Sequence, residues 1–200
     1  MRTSYPAGER IVLGPDGTLQ VLEGVIALTV IHEDGTEVLL GLCGPGQVVA
    51  GHAEETCCMQ LRAQTATVVR VQTWDEAARQ PEFAGRLRER LRCAEAWAAM
   101  QALPHIEQRL LGILSLLAGQ FGRPAGEGML IEVLITQAQL ASAVGATRTT
   151  VTRLLGQLRR RGLLIALRAG RGERYGLKTR IENGGKPARD VRFRTSRPAP

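Results

Sequence analysis

The chain has 200 residues, 44% of them apolar and 22% charged, enough for one large or two small packed domains. No apolar run approaches the roughly 20 residues that span a bilayer. The start Met1-Arg2-Thr3-Ser4-Tyr5-Pro6 lacks the hydrophobic segment of a secretory signal, so the expectation is a cytoplasmic protein with no membrane partner and reduced cysteines. The net charge of +7 is unevenly spread. Residues 1–101 hold 9 basic and 13 acidic residues, residues 102–177 hold 10 and 4, and residues 178–200 hold 7 and 2. An acidic front half joined to a basic back half is the footprint expected of a sensor or scaffold carrying a nucleic-acid binder.

The first seventy-odd residues are predicted to be all-β. Val25 to Ile31 and Glu37 to Leu42 are β-rich runs, and Asp34-Gly35 between them is a hairpin signal. Gly14-Pro15-Asp16-Gly17, Glu23-Gly24 and Gly44-Pro45-Gly46-Gln47 punctuate the surroundings, and Ala66 to Val71 is a further strand. Strands this short and close suggest a small antiparallel barrel or jelly roll over residues 1–80.

From Trp74 the period changes. Asp75 to Gln80 is a candidate short helix, and Pro81 can open a longer one from about Glu82 to Leu103, roughly 33 Å long at about 1.5 Å per residue. Phe83, Leu87, Leu91, Ala94 and Ala98 form an apolar stripe along it. A helix longer than a small barrel needs can use that stripe for a two-fold coiled-coil contact or pack it on its own domain; a homodimer is the favoured use. Residues 81–104 are therefore assigned to a dimerisation helix and hinge, ending at Leu103-Pro104-His105, where His105 is expected to act as a hinge or cap.

Residues 105–177 read as a DNA-binding domain. Ile106, Leu110, Leu111, Ile113, Leu114 and Leu117 mark an apolar core helix, Gly122 to Gly128 a loop, and Met129 to Leu134 a strand. Thr136 with Gln139 three residues on is a capping-box pair, and Leu140, Ala141 and Val144 form the inner face of the helix it starts. Gly145 can take the positive φ of a sharp turn, and Thr147 can cap a second helix lined inwardly by Val151, Leu154, Leu155 and Leu158. That is a helix-turn-helix. Arg148, Thr149, Thr152 and Arg153 suit base edges and phosphates in double-stranded DNA. The full set of candidate DNA contacts is Thr136, Gln137, Thr147, Arg148, Thr149, Thr152, Arg153, Arg159 and Arg171, the last in a glycine-rich wing between Leu163–Leu167 and Arg174–Leu177. A merely solvated basic surface explains a charge run but not its coincidence with this motif. Beyond Lys178 the chain is Gly-, Pro- and Arg-rich, a tail expected to be disordered and to add salt-sensitive affinity.

A β-roll, a long dimer helix, a break at Leu103-Pro104-His105 and a C-terminal winged helix, in that order over roughly residues 5–177, resemble the Crp/Fnr superfamily of bacterial transcription regulators. The fold class is then α+β: an N-terminal antiparallel β-roll of the cyclic-nucleotide-binding kind, a long dimerisation helix and a winged helix-turn-helix. The likeness is strongest from Phe121 to Ile165, where Gly145-Ala146-Thr147-Arg148-Thr149-Thr150-Val151-Thr152-Arg153-Leu154-Leu155 is similar to the global nitrogen regulators of the NtcA type. It implies a homodimer on a palindromic promoter site, contact with RNA polymerase, and entry of Arg148, Thr149 and Arg153 into the major groove of each half-site. Thr149 stands where the cyclic-AMP receptor has a base-reading glutamate, which implies a target nearer the nitrogen regulators' GTA…TAC palindrome.

The effector region departs from its relatives. In Gly51-His52-Ala53-Glu54-Glu55-Thr56-Cys57-Cys58-Met59-Gln60-Leu61-Arg62-Ala63 the segment is short, His52 replaces the family's glutamate, and there is no Arg-Ser or Arg-Thr pair; Arg62 fits a strand. A buried cyclic phosphate would lack its charge partner, which argues against cyclic AMP. Arg90 and Glu95 match helix positions that help bind 2-oxoglutarate in the nitrogen regulators, whereas the arginine those proteins carry in the cassette corresponds to Cys57. The readings left open are 2-oxoglutarate, another effector and a degenerate site. Adjacent Cys57-Cys58 near His52 suits buried structural thiols better than a metal or an oxidant sensor, since tetrahedral sites favour spacings such as Cys-x₂-Cys. No catalytic constellation or phosphate loop stands out. The function expected is sequence-specific transcription regulation without enzymatic activity; the alternative is an architectural protein that binds DNA without sequence preference.

Overall fold

The computed structural model describes residues 1–51, 58–169 and 172–178. Its N-terminal half holds β1 (Arg2–Tyr5), β2 (Arg10–Ile11), β3 (Gly17–Glu23), β4 (Ile26–Ile31), β5 (Glu37–Cys43), β6 (Val48–Ala50), β7 (Cys58–Ala63) and β8 (Thr67–Thr73). They form two antiparallel sheets, ordered β1-β8-β3-β6 and β2-β7-β4-β5. Leu19 and Val21 of β3, Ile26 and Leu28 of β4, Leu61 of β7 and Val69 of β8 fill the space between them. The β4–β5 turn follows its local chemistry. Gly35 takes φ +80, the Thr36 amide donates to Asp34 Oδ1 at 2.8 Å, and the His32 amide donates to the Thr36 carbonyl at 3.0 Å. β4 is apolar except for Thr29 because it is buried on both faces: Ile26 and Leu28 enter the roll, while Ala27 faces the helices with Val25, Leu39 and Leu42.

Thr73 caps α1 (Trp74–Ala78) through a capping box with Glu76, and α2 (Phe83–Gln101) follows. Phe83, expected on the dimer stripe, is instead buried against Val48 and Ala77, with its ring 5.3 Å from that of Trp74 in an edge-on contact. Periodicity places it on one helix face with Leu87, Leu91, Ala94 and Ala98, but Val48 of the roll and Ala77 of α1 cover the first turn of that face.

The C-terminal half comprises α3 (Ile106–Phe121), β9 (Gly122–Ala125), β10 (Gly128–Ile131), α4 (Gln137–Val144), α5 (Arg148–Arg160), β11 (Leu164–Ala169) and β12 (Gly172–Lys178), with sheet order β11-β12-β10-β9. Gly122 to Gly128, expected as a loop, is a hairpin: β9 pairs with β10 around Gly126 at φ +58. Pro124 is tolerated there because β9 is an edge strand. The strand expected over Met129 to Leu134 ends at Ile131, since the chain then leaves the ladder for α4, burying Val133 and making one bridge from Ile135 to Glu173. Leu110, Ile113 and Leu114 of α3, Leu140 and Val144 of α4, Val151, Leu155 and Leu158 of α5, and Tyr175 form one core. His105 occupies the N-cap position of α3 with extended backbone, but its side chain makes no capping bond.

Gly145 ends α4 at φ 63 and ψ 49, and its amide donates to the Ala141 carbonyl. A Cβ added there would meet nothing nearer than Arg109 Nη1 at 3.6 Å, so the cost of a side chain is conformational. Gly145→Ala should lower stability by about 1–2 kcal/mol, read as a shifted denaturant midpoint at unchanged slope. An unchanged midpoint would contradict the left-handed turn.

Polar groups seat α4 on the outer face of β5. Ser142 Oγ donates to the Glu37 carbonyl at 2.6 Å and accepts from the Leu39 amide at 2.8 Å. Gln139 Nε2 donates to Gln64 Oε1 at 2.7 Å, Gln120 Nε2 to the Leu42 carbonyl at 3.0 Å, and Trp97 Nε1 to the Leu39 carbonyl at 3.1 Å. Arg109 Nη1 donates to the Val144 carbonyl at 2.9 Å and its Nε to Leu103 at 2.8 Å, placing a cation at the C-terminus of α4.

Candidate nucleic-acid interface

Both helices of the turn are capped as their sequence requires. Thr136 accepts from the Gln139 amide at 3.1 Å while Gln139 Oε1 accepts from the Thr136 amide at 2.9 Å; Thr147 accepts from the Thr150 amide at 3.2 Å. Val151, Leu154, Leu155 and Leu158 bury the inner side of α5. At about 100° per residue, the opposite side is the stripe Thr149, Arg153, Gly156 and Arg160. Thr149, Arg153 and Arg160 are exposed, and neither arginine forms an ion pair among the described residues. Gly156 adds no side chain, leaving the middle of that stripe low. Arg160 was not among the expected contacts, yet it lies seven residues, close to two turns, beyond Arg153.

Three of the other predicted residues, Gln137, Thr152 and Arg159, are joined on the flank facing the wing strand. Thr152 Oγ1 donates to the Arg148 carbonyl at 2.9 Å and to Gln137 Oε1. Gln137 Nε2 donates to Glu173 Oε1 at 3.1 Å, and Arg159 Nη2 pairs with Glu173 Oε2 at 3.0 Å. Thr136 is half-buried and committed to its cap, whereas Thr147 and Arg148 are exposed. Arg171 lies outside the described residues, as do His52, Cys57 and the tail beyond Lys178. Beneath this cluster Tyr175 is fully buried; burial, reinforced by the Glu173 charge, holds its phenol above the usual range.

Five positions apart on α2, Arg90 and Glu95 diverge by about 140°. Arg90 is half-buried on the side of Cys43 and Cys93, whereas Glu95 is exposed, so one protomer does not bring them together. Leu91 and Ala98 of the dimer stripe are exposed, while Leu87 and Ala94 are half-buried. Among the described residues no group of three His, Cys, Asp or Glu could hold a metal, and no helix is long and apolar enough to cross a membrane. Burial pushes the Cys43 thiol up to about 11, and burial followed by the Glu89 charge raises Cys93. Cys43 should therefore resist a disulfide reagent near pH 8 until the protein unfolds. Rapid stoichiometric labelling of Cys43 in the folded state would contradict this.

Comparison with known proteins matches this architecture. Residues 108–176 fit the Crp-like helix-turn-helix domain. The transcriptional regulator SdrP of Thermus thermophilus is 32% identical over 200 aligned positions, covering 92% of this chain and 95% of the relative. A global nitrogen regulator of Synechocystis is 47% identical over 51 residues, covering 26% of this chain and 23% of that protein. A solved CRP/FNR-family transcriptional regulator of Thermus thermophilus superposes with a TM-score of 0.67 at 26% identity, over 89% of this chain and 94% of that one. With its roll, long helix and capped helix-turn-helix, the chain belongs to the Crp/Fnr family of transcription regulators.

Proposed function

We propose that the protein binds a palindromic promoter site as a cytoplasmic homodimer, with one α5 in the major groove of each half-site. The observation that carries this is the outward stripe Thr149, Arg153 and Arg160, aligned on a helix whose inner face is fully packed. Arg153 and Thr149 take the base-reading role, while Arg148, Thr147 and Arg160 have the exposure suited to phosphates. Thr136 and Gln137 contribute by fixing the entry of α4, and Thr152 and Arg159 by shaping the flank toward the wing, whose Arg171 completes the phosphate contacts. Leu91, 58% exposed at the middle of α2, is the side chain that such a dimer contact would cover. Leu87, Ala94 and Ala98 extend the seam.

Residues 1–80 are then a sensor-like roll, 81–104 the dimerisation helix and hinge, 105–177 the reading domain and 178–200 a basic tail. RNA polymerase is the expected partner at the promoter. The effector is degenerate or unidentified; 2-oxoglutarate would need Arg90 and Glu95 from different protomers, and cyclic AMP lacks its arginine. Fluorescence anisotropy on a duplex carrying a GTA…TAC palindrome and on a scrambled duplex tests the reading. Two protomers per palindrome and tighter binding to it are expected; equal affinity with a steep salt dependence would instead favour an architectural role.

A further inference from the structure

Between Glu132 and Glu182 the chain carries eight arginines before Lys178 and a single carboxylate, Glu173. An acidic group on a surface meant for phosphates weakens binding, so its placement calls for a physical reason. The side chain is only 12% exposed. Its Oε1 accepts from Gln137 Nε2 at 3.1 Å, and its Oε2 pairs with Arg159 Nη2 at 3.0 Å. Gln137 in turn accepts from Thr152, which also donates to the Arg148 carbonyl one turn earlier. The Glu173 backbone is fixed as well: its amide and carbonyl exchange hydrogen bonds with Ile135, both 3.1 Å, immediately before the α4 cap Thr136. One carboxylate thus joins the wing strand, the start of α4 and the last turn of α5.

We infer that Glu173 is a positioning residue for sequence reading, which holds α4, α5 and the wing in one arrangement while withdrawing the charge of Arg159 from the DNA backbone. This rests on the DNA-reading role proposed above. The pair gives up non-specific attraction and restricts Arg159, a long side chain that would otherwise be able to neutralise any phosphate within reach. Specificity is a difference between two affinities, so weakening the wrong complex raises it.

The two affinities should therefore move in opposite directions when the carboxylate is removed. In Glu173→Ala, binding to a scrambled duplex should tighten, and its log–log salt slope should steepen by about 0.9 per protomer as Arg159 becomes available. Binding to the preferred duplex should weaken, so that the ratio between them falls about tenfold. Glu173→Gln keeps the volume but offers one acceptor to two donors, and should give the same signs with smaller size. Adding Arg159→Ala to Glu173→Ala should abolish the gain on scrambled DNA without restoring the ratio. The experiment is a salt titration of the full-length wild type and these variants on both duplexes, with a Tm for each. A loss of similar size on both duplexes together with a lowered Tm would show a merely structural role, and a ratio unchanged in both Glu173 variants would equally overturn the assignment. A wild type with no preference between the duplexes would instead overturn the DNA-reading role, and this assignment with it.

Discussion

Replacing Arg153 by alanine should remove most of the preference for the operator while leaving a scrambled duplex little affected. Arg153 lies at the centre of the outward stripe of α5, exposed and without an ion pair among the described residues, so its guanidinium is available to a base edge. A bidentate arginine–guanine contact discriminates by about 1–3 kcal/mol, and a two-fold complex contains it twice. Loss of both copies should cost the preferred site roughly 30-fold or more, whereas the scrambled site loses only a sequence-independent charge at each protomer. Arg153→Lys keeps that charge but not the fork, so it should resemble alanine in preference and wild type in salt slope. If the two duplexes lose affinity by equal factors, Arg153 is a phosphate contact.

Leu91→Glu should separate the protomers and with them the binding of a two-half-site operator. Leu91 is an exposed large apolar side chain of α2, and a two-fold seam along Leu87, Leu91, Ala94 and Ala98 would bury it against its own copy. Two carboxylates in that seam would each be stripped of water, a penalty of several kcal/mol, enough to weaken association by more than about a hundredfold. Because the side chain is solvent-facing in the single chain, the fold itself should survive. Sedimentation at micromolar concentration should show a dimer for the wild type and a monomer of unchanged Tm for the variant. A variant that remains dimeric would move the seam elsewhere.

What could be read from the sequence was what local chemistry specifies. The β4–β5 hairpin rests on Asp34-Gly35, and the helix-turn-helix on the Thr136–Gln139 box, Gly145 and the Thr147 cap, all within a few residues of one another. Most edge strands of the roll were not legible, because β1, β2 and β6 are two to four residues long and exist only by pairing with distant partners, as Arg2 does opposite Arg70. Periodicity identified the stripe on α2 but not what covers Phe83, since the covering residues Val48 and Ala77 come from other elements. The candidate site divided in the same way. Thr149 and Arg153 follow from helical phase, and Arg160 would have followed from the same count carried one step further. Glu173 could have been noticed as the one acid in a basic stretch, but its partners Gln137 and Arg159 lie 36 and 14 residues away, and only the fold brings them together.

Base reading by two copies of α5 in paired half-sites can be checked by random-site selection with the whole 200-residue chain at physiological salt and sequencing of the bound duplexes. An enriched two-fold palindrome with half-sites about one helical turn apart is expected, with loss of its most selected base pair when the selection is repeated with Arg153→Ala. Bound DNA with no enriched motif, with or without 2-oxoglutarate present, would contradict it.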